Sequence, residues 1–359
     1  MPYKLFLGTS MTKTRVLITG IAGQDGALLA NSLIGKGVAV SGTFRRGSAN
    51  NLWRLKELGI ESQIDLHEYV IGSNPLEFTS IVKSGFDEIY HLAGDSFTAD
   101  SFRHPLKTIT TNLTGCLEVL EACRDFSPNS KIFLACSSEI FGENSIGSAM
   151  LDEISPRLPK NPYGVSQSAI LELGNLFRET YGLFISTGIL FNHESHLRGT
   201  QFLTRKLSEG VAKLKLGIGQ PIEVGNLESQ RDWGDAAEFV NLFQSLLKVD
   251  VSDNFIISTQ KLTSVRELAE VCFQEAGFDP IFEGEGVSEI CLDRKTNKKL
   301  LQVNLKFFRT NETPPLIGSN LKLGQAAGLI PKNNILDLIR DMYKIDLERL
   351  NRPYRSTSD

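Results

Sequence analysis

Apolar residues in this chain gather in short runs at residues 15–20, 38–44, 88–94, 131–137 and 184–191, with helical stretches between them. Alternation of this kind specifies a mainly parallel sheet covered by helices, with ligands received at the carboxyl ends of the strands. A later run, Asn254-Phe255-Ile256-Ile257-Ser258-Thr259, is expected to return a strand to the same sheet. The first unit is therefore placed at 13–191 with a returning strand near 254–260. A more mixed unit follows over 192–350, with a helix over Thr263–Val271 that starts at a capping residue. The segment Asn311-Glu312-Thr313-Pro314-Pro315 breaks regular structure, the last helix runs from Asn334 to Leu350, and the polar tail 351–359 is expected to be disordered. A length of 359 residues exceeds what one core usually serves, in keeping with two interleaved lobes.

The run Arg15-Val16-Leu17-Ile18-Thr19 leads into Gly20-Ile21-Ala22-Gly23-Gln24-Asp25-Gly26 and then into the helical Ala27–Ile34. Strand, glycine turn and helix in this order hold a pyrophosphate: the glycines allow the tight turn and the close approach of backbone N–H groups, and the helix dipole faces the anion. The spacing is GxxGxxG, and Gly20, Gly23, Gln24, Asp25 and Gly26 become the candidate cofactor turn. The fold class is accordingly α/β, a Rossmann-like doubly wound parallel sheet with a smaller mixed C-terminal substrate lobe. An NAD site places a carboxylate roughly 20 residues past the glycines. Here the second strand runs into Arg45-Arg46-Gly47-Ser48, and the next carboxylate is Glu57. Arg45, Arg46 and Ser48 suit a ribose 2′-phosphate through charge-assisted hydrogen bonds, which favours NADP.

Charge and composition narrow the classes. A net charge of −4 offers no basic field for nucleic acid. No apolar run reaches the roughly 18 to 20 residues of a membrane helix, and Met1–Ser10 lacks a signal-peptide core. A soluble, cytoplasmic protein is the expectation. The five cysteines, Cys116, Cys123, Cys136, Cys272 and Cys291, form no CxxC and no zinc pattern, so neither a disulfide framework nor a metal is predicted.

The run 131–137 delivers Ser137-Ser138-Glu139 to its carboxyl end, and Asn161-Pro162-Tyr163-Gly164-Val165-Ser166-Gln167 opens a helix shortly afterwards. At this point the chain resembles an extended short-chain dehydrogenase, whose catalytic set is a Ser or Thr after this strand and a Tyr-x-x-x-Lys on the next helix. Ser137 and Tyr163 match. Gln167 stands where that family has lysine. The resemblance narrows to GDP-mannose 4,6-dehydratases. GIAGQDG is similar to that family's GITGQDG, Phe44-Arg45-Arg46 to its VRR, Cys136-Ser137-Ser138-Glu139 to its STSE, Leu190–Ser195 to its LFNHES, and Phe307-Phe308-Arg309 to its YYR. Arg198-Gly199, Thr204-Arg205-Lys206, Gly225-Asn226-Leu227 and Arg231-Asp232-Trp233-Gly234 continue the match over roughly residues 13–348.

The resemblance implies a resident NADP, oxidation at C4 of the mannosyl ring, loss of water across C5 and C6, and return of the hydride to C6. Tyr163 would be the C4 base, Ser137 would hold the C4 oxygen, and Glu139 would serve C5 and the departing hydroxyl. Tyr163 and Gln167 would also face the nicotinamide ribose. Asn192, Glu194, Arg205, Lys206, Arg231 and Arg309 would hold the GDP-mannose-like substrate, and a homo-oligomer, dimer or tetramer, is implied. Gln167 keeps a ribose hydrogen bond but supplies no charge to a tyrosinate; Lys160, three residues before Tyr163, is the replacement cation the sequence offers. His67–Ser73, read as the third strand, offers apolar residues beside the adenine. Two further readings stay open from sequence: an epimerase or reductase of GDP-sugars on the same scaffold, and a binder of both ligands that does not turn over.

Overall fold

The computed structural model describes residues 13–45, 52–142, 150–308 and 315–352. Its strands are β1 (Arg15–Thr19), β2 (Ala39–Phe44), β3 (Asp65–Glu68), β4 (Glu88–His91), β5 (Lys131–Ser137), β6 (Ile185–Leu190), β7 (Asn192–Glu194), β8 (Ile222–Val224), β9 (Gln230–Asp235), β10 (Asn254–Ile257), β11 (Leu262–Ser264), β12 (Pro280–Glu283), β13 (Ile290–Asp293) and β14 (Lys299–Val303). Seven of them form one sheet in the order β10-β6-β5-β4-β1-β2-β3, and every neighbouring pair is parallel. Strands buried on both faces must be apolar nearly throughout. β6 is buried at all six positions, with Ser186 and Thr187 among them, and β1 at four of five.

Helices cover both faces. α1 (Gln24–Gly35) packs with α8 (Ala236–Leu246) on one side; α3 (Pro75–Val82), α5 (Pro105–Phe126) and α6 (Pro162–Tyr181) pack on the other. The short helices α2 (Trp53–Glu57) and α4 (Thr98–Arg103) sit in the crossovers. Phe133 of β5 stacks on Phe243 of α8 with ring centroids 4.3 Å apart, a pair worth about 0.5–1.5 kcal/mol beyond its area. The crossovers reverse direction between β1 and β4, so the crevice opens at the carboxyl ends of these two strands.

A second core gathers around α7 (Leu203–Lys215), α9 (Val265–Glu275) and α11 (Ile335–Asn351), with the four-stranded sheet β12-β13-β14-β8. A small sheet, β11-β9-β7, joins the two. Chain order and spatial order differ: α8, β10 and α10 (Leu321–Ala327) lie late in the chain yet pack on the large sheet. The later elements close on simple local chemistry. Ser264 caps α9 in a reciprocal box with Glu267, one residue beyond the expected start, because Thr263 is still paired in β11. Asn334 caps α11 through Leu336 N–H.

Two further sequence-based boundaries move. α1 begins at Gln24 rather than Ala27, with Gly26 inside its first turn; a Cβ there would lie 2.6 Å from Gly20 O and Ile21 Cα, so only glycine lets helix and strand meet. β3 covers Asp65–Glu68, and Tyr69–Ser73 leave the sheet as a loop instead of forming the strand. The turn at Val70–Ser73, closed by Ser73 N–H on Val70 O at 3.0 Å with Gly72 at φ +80°, ends the extended run.

Candidate functional site

A cavity of about 620 Å³ lies over the carboxyl ends of β1 to β6. Its floor begins at the glycine turn. Gly20 takes φ +73° and passes so close to β4 that a Cβ would meet Ala93 Cα at 2.8 Å. Gly20, Gly23, Gln24, Asp25 and Gly26 all line the cavity, as does Arg45 at the end of β2. Arg46 and Ser48 lie outside the described residues.

Gln24 and Asp25 turn out to do more than face a ligand. Gln24 Nε2 donates to Asp25 Oδ1 at 2.9 Å and to His193 O at 3.1 Å, and Gln24 Oε1 accepts from Ser195 Oγ at 2.9 Å. His193 Nε2 sits 3.0 Å from Asp25 Oδ2, with its ring stacked on Phe239. Burial opposes ionisation of both partners, but their mutual attraction wins. Asp25 is drawn down to about 2 and His193 is raised above its ordinary value, so a charged pair fastens the glycine turn to β7. Arg54 adds a second fastening, donating through Nη1 to Ala22 O at 3.0 Å and through Nε to Leu197 O at 2.6 Å.

The reacting end is built by β5 and the start of α6. Ser137 is the last residue of β5, and its Oγ accepts from Glu139 N–H at 3.3 Å, opening a single helical turn over Ser138–Ile140. Asn161 performs two tasks. Its Oδ1 caps α6 through Gly164 N–H at 2.7 Å, and its Nδ2 donates to Glu139 Oε2 at 2.8 Å. One side chain thus fixes the Glu139 carboxylate relative to Tyr163, two residues further along. Gly164 permits the contact, since a Cβ would come within 2.6 Å of Glu139 O. Ser166 Oγ donates to Tyr163 O at 2.7 Å and accepts from Asn112 Nδ2 at 2.9 Å, which ties α6 to α5.

Burial holds the Tyr163 phenol well above its ordinary range. A hydrogen bond with Ser137 and the positive charge of Arg198 pull it back in part, and Glu139 pushes it up. Gln167 lines the cavity one helical turn from Tyr163 and is 6% exposed. Arg198, which lines the same cavity, is a cation that Tyr163 feels; Lys160, the cation suggested by sequence, is exposed.

The sequence matches the family model described as GDP-mannose 4,6 dehydratase over residues 17–342. The chain belongs to the GDP-mannose 4,6-dehydratase family. It is 35% identical over 343 residues to GDP-mannose 4,6 dehydratase 2 of Caenorhabditis elegans, covering 92% of this chain and 88% of that one. It is 34% identical over 340 residues to GDP-mannose 4,6 dehydratase of Homo sapiens, covering 92% and 91%. Among solved structures, RMD from Pseudomonas aeruginosa complexed with NADPH shares the fold at a TM-score of 0.74 and 20% identity, covering 94% of this chain and 100% of that one.

The residues expected to bind the family substrate divide sharply. Asn192 lines the cavity and is exposed. Glu194 is buried at 2% exposure; it accepts from the Thr204 hydroxyl and faces Arg198 Nε at 3.4 Å, so it aims Arg198 rather than a ligand. Arg205, read from sequence as a diphosphate partner, is closed off: its Nη1 is bonded to Asp346 of α11, and its Nε donates to Arg198 O at 3.2 Å. Both members of the Arg205–Asp346 pair are buried. Arg205→Met would take from Asp346 one of its three partners, leaving Arg349 Nη1 at 3.1 Å and the Ser208 hydroxyl at 2.6 Å, and a loss of about 1–3 kcal/mol in urea unfolding is expected. A stable single variant with weakened diphosphate affinity would restore the ligand role.

Lys206 and Arg231 lie outside the cavity wall. Lys206 reaches Glu223 O at 3.2 Å over the Phe307 ring, and Arg231 Nη1 donates to Gln230 O at 2.6 Å. Arg309 is outside the described residues. Arg198, Arg54, Asn161, Phe202 and the Lys107–Asp95 pair, 2.9 Å apart, belong to the site without having been singled out. Asn161 had a visible signal, as an Asn-Pro pair opening a helix, and Arg198 stood in the Arg198-Gly199 stretch that matches the family, without being given a role. Among the described residues no group of three His, Cys, Asp or Glu is placed to hold a metal, and no helix is long and apolar enough to cross a membrane.

Proposed function

We propose that this protein is an NADP-dependent GDP-mannose 4,6-dehydratase, a lyase that converts GDP-mannose or a close relative to its 4-keto-6-deoxy form. The observation that carries the reading is the gathering of Ser137, Glu139 and Tyr163 in the cavity that the glycine turn also lines. Family membership supplies the substrate class. The glycine turn suits a dinucleotide, because Gly20, Gly23 and Gly26 line the cavity and only glycine at 20 and 26 lets the turn pack this closely on β4 and α1. Arg45 lines the cavity where β2 ends without a carboxylate, which supports NADP over NAD.

When bound, the nicotinamide ring supplies reversible oxidation at the sugar. Tyr163 takes the proton of the C4 hydroxyl, with Ser137 bonded to its phenol and placed to hold the same sugar oxygen. The C4 ketone acidifies C5, and Glu139, held by Asn161, removes the C5 proton and delivers a proton to the departing C6 hydroxyl. Protons balance: the C5 proton leaves with the C6 hydroxide as water, C4 stays a ketone, and the proton that Tyr163 took from the C4 hydroxyl is the equivalent that C5 regains when C6 is reduced. Arg198, mostly buried and lining the cavity, is suited to the substrate diphosphate.

Gln167 favours one rival, a protein that holds both ligands without turnover. Incubation with GDP-mannose and NADP, followed by mass, separates the readings. Loss of one water from the sugar nucleotide is expected; an unchanged mass with demonstrated binding of both ligands would establish the rival.

A further inference from the structure

Asp25, in the first turn of α1, and His193, on β7, both line the cavity. A helix that receives a pyrophosphate at its N-terminus thus carries a carboxylate there, and a bare carboxylate repels the anion. His193 Nδ1 lies 2.8 Å from Phe191 O, and a carbonyl only accepts, so Nδ1 carries a hydrogen. His193 Nε2 lies 3.0 Å from Asp25 Oδ2. Ser195 Oγ donates to Gln24 Oε1, which turns Gln24 Nε2 toward Asp25 Oδ1 as a donor. Burial works against a charge on Asp25, yet His193 and Gln24 draw the carboxyl down to about 2, so the shared proton sits on the ring. His193 is an imidazolium with both N–H groups spent on acceptors.

The other charges around the pair are committed elsewhere. Arg198 acts on both partners at a distance, but its Nε faces Glu194 at 3.4 Å. Arg54 of α2 spends Nε on Leu197 O and Nη1 on Ala22 O. On the remaining sides α8 offers the Phe239 ring, stacked on the imidazole, and β9 the backbone of Gly234.

We propose that His193 is a positioning residue for the dinucleotide: its proton neutralises Asp25 so that a pyrophosphate can sit at the N-terminus of α1, and loss of that proton weakens the hold on the cofactor. This rests on the dinucleotide reading above and adds a proton linkage to it. A bound anion favours the protonated ring, so binding takes up a proton once the free protein has begun to lose it. Burial disfavours the charged ring, but Asp25 raises it above its ordinary value. Affinity is therefore level up to about pH 7 and falls as pH rises beyond it.

The test is calorimetric titration of the full chain with NADP, without sugar nucleotide, at about pH 7 and about pH 9.5 in buffers of low and high ionisation heat. The wild-type protein is expected to lose about tenfold or more in affinity across that range, with proton uptake on binding between the two. Asp25→Asn preserves every bond: its amide oxygen still accepts from Gln24 Nε2, and its NH₂ donates to Nε2 of a neutral ring whose Nδ1–H still meets Phe191 O. That variant is expected to bind with less than about a twofold change over the same range. His193→Gln keeps a donor toward Asp25 but no charge, so binding at pH 7 about tenfold or more below wild type is expected, and adding Asp25→Asn recovers it. A wild-type affinity that is level with pH, an equally steep fall in Asp25→Asn, or unweakened binding in His193→Gln would each overturn the proposal. Should a variant fail to fold, proton uptake by the wild type decides, and its absence overturns the proposal. If wild-type protein binds neither NADP nor NAD, the cofactor reading itself falls and takes the inference with it; tight NADP binding that ignores pH removes the inference alone.

Discussion

Glu139→Gln is expected to lower the rate of water loss by about 10²- to 10⁴-fold, the usual range for removing a positioned acid/base group, while dinucleotide binding stays at the wild-type level. The amide keeps the shape, and its oxygen can still accept from Asn161 Nδ2, so the turn over Ser138–Ile140 and the cap of α6 remain in place. What disappears is the ability to take the C5 proton and pass one to the leaving hydroxyl. Mass analysis of the sugar nucleotide, with exchange of the C5 hydrogen into deuterated water as a second readout, checks both halves. Full turnover in the variant would remove Glu139 from the chemistry.

Gln167→Lys is expected to act in the opposite direction. Burial keeps the Tyr163 phenol protonated far above neutrality, and Ser137 and Arg198 offset it in part. An ammonium about 4 Å away is worth up to about 4 kcal/mol at an effective dielectric of 20, or up to about three pKa units. The base form is the tyrosinate, so turnover increases as pH climbs toward the tyrosine pKa. In the wild type that rise continues through the alkaline range. In Gln167→Lys the same limb moves to lower pH, and the neutral-pH rate increases by about ten- to a thousandfold. A pH–rate profile of both proteins decides; superimposable profiles would show that residue 167 does not set the tyrosine.

The large sheet was legible because its strands are buried on both faces and so appear as apolar runs whatever surrounds them; Ile132–Cys136 of β5 is the clearest case. The glycine turn was legible because the close approaches at Gly20 and Gly26 admit no side chain. Arg205 was misleading for a physical reason. An arginine beside a lysine in a charged helix looks the same in sequence whether it faces solvent or a partner 141 residues away, and Asp346 gave no sign of its own. Arg198 was passed over as a charge for the mirror-image reason, since its role depends on a cavity wall that only the packed α7 end and β7 create. The third strand was placed too late because Tyr69–Ile71 are apolar for the sake of the cavity and the α5 contact, and a two-residue alternation cannot tell that from a strand.

The return of β10 to pair with β6 has a consequence for how the protein is made. Until Ile257 has left the ribosome, β6 remains the bare margin of a six-stranded sheet, offering an unpaired row of backbone groups flanked by Phe133 and Ile189. The α8 segment that shields Phe133 emerges only shortly before it. At about 5–20 residues per second, the roughly 65 residues between the two strands leave that margin open for several seconds. A nascent chain stopped after Phe191 carries every candidate catalytic residue and yet has no closed sheet on which to hold them, so translation must run well past the active-site sequence before there is an active site.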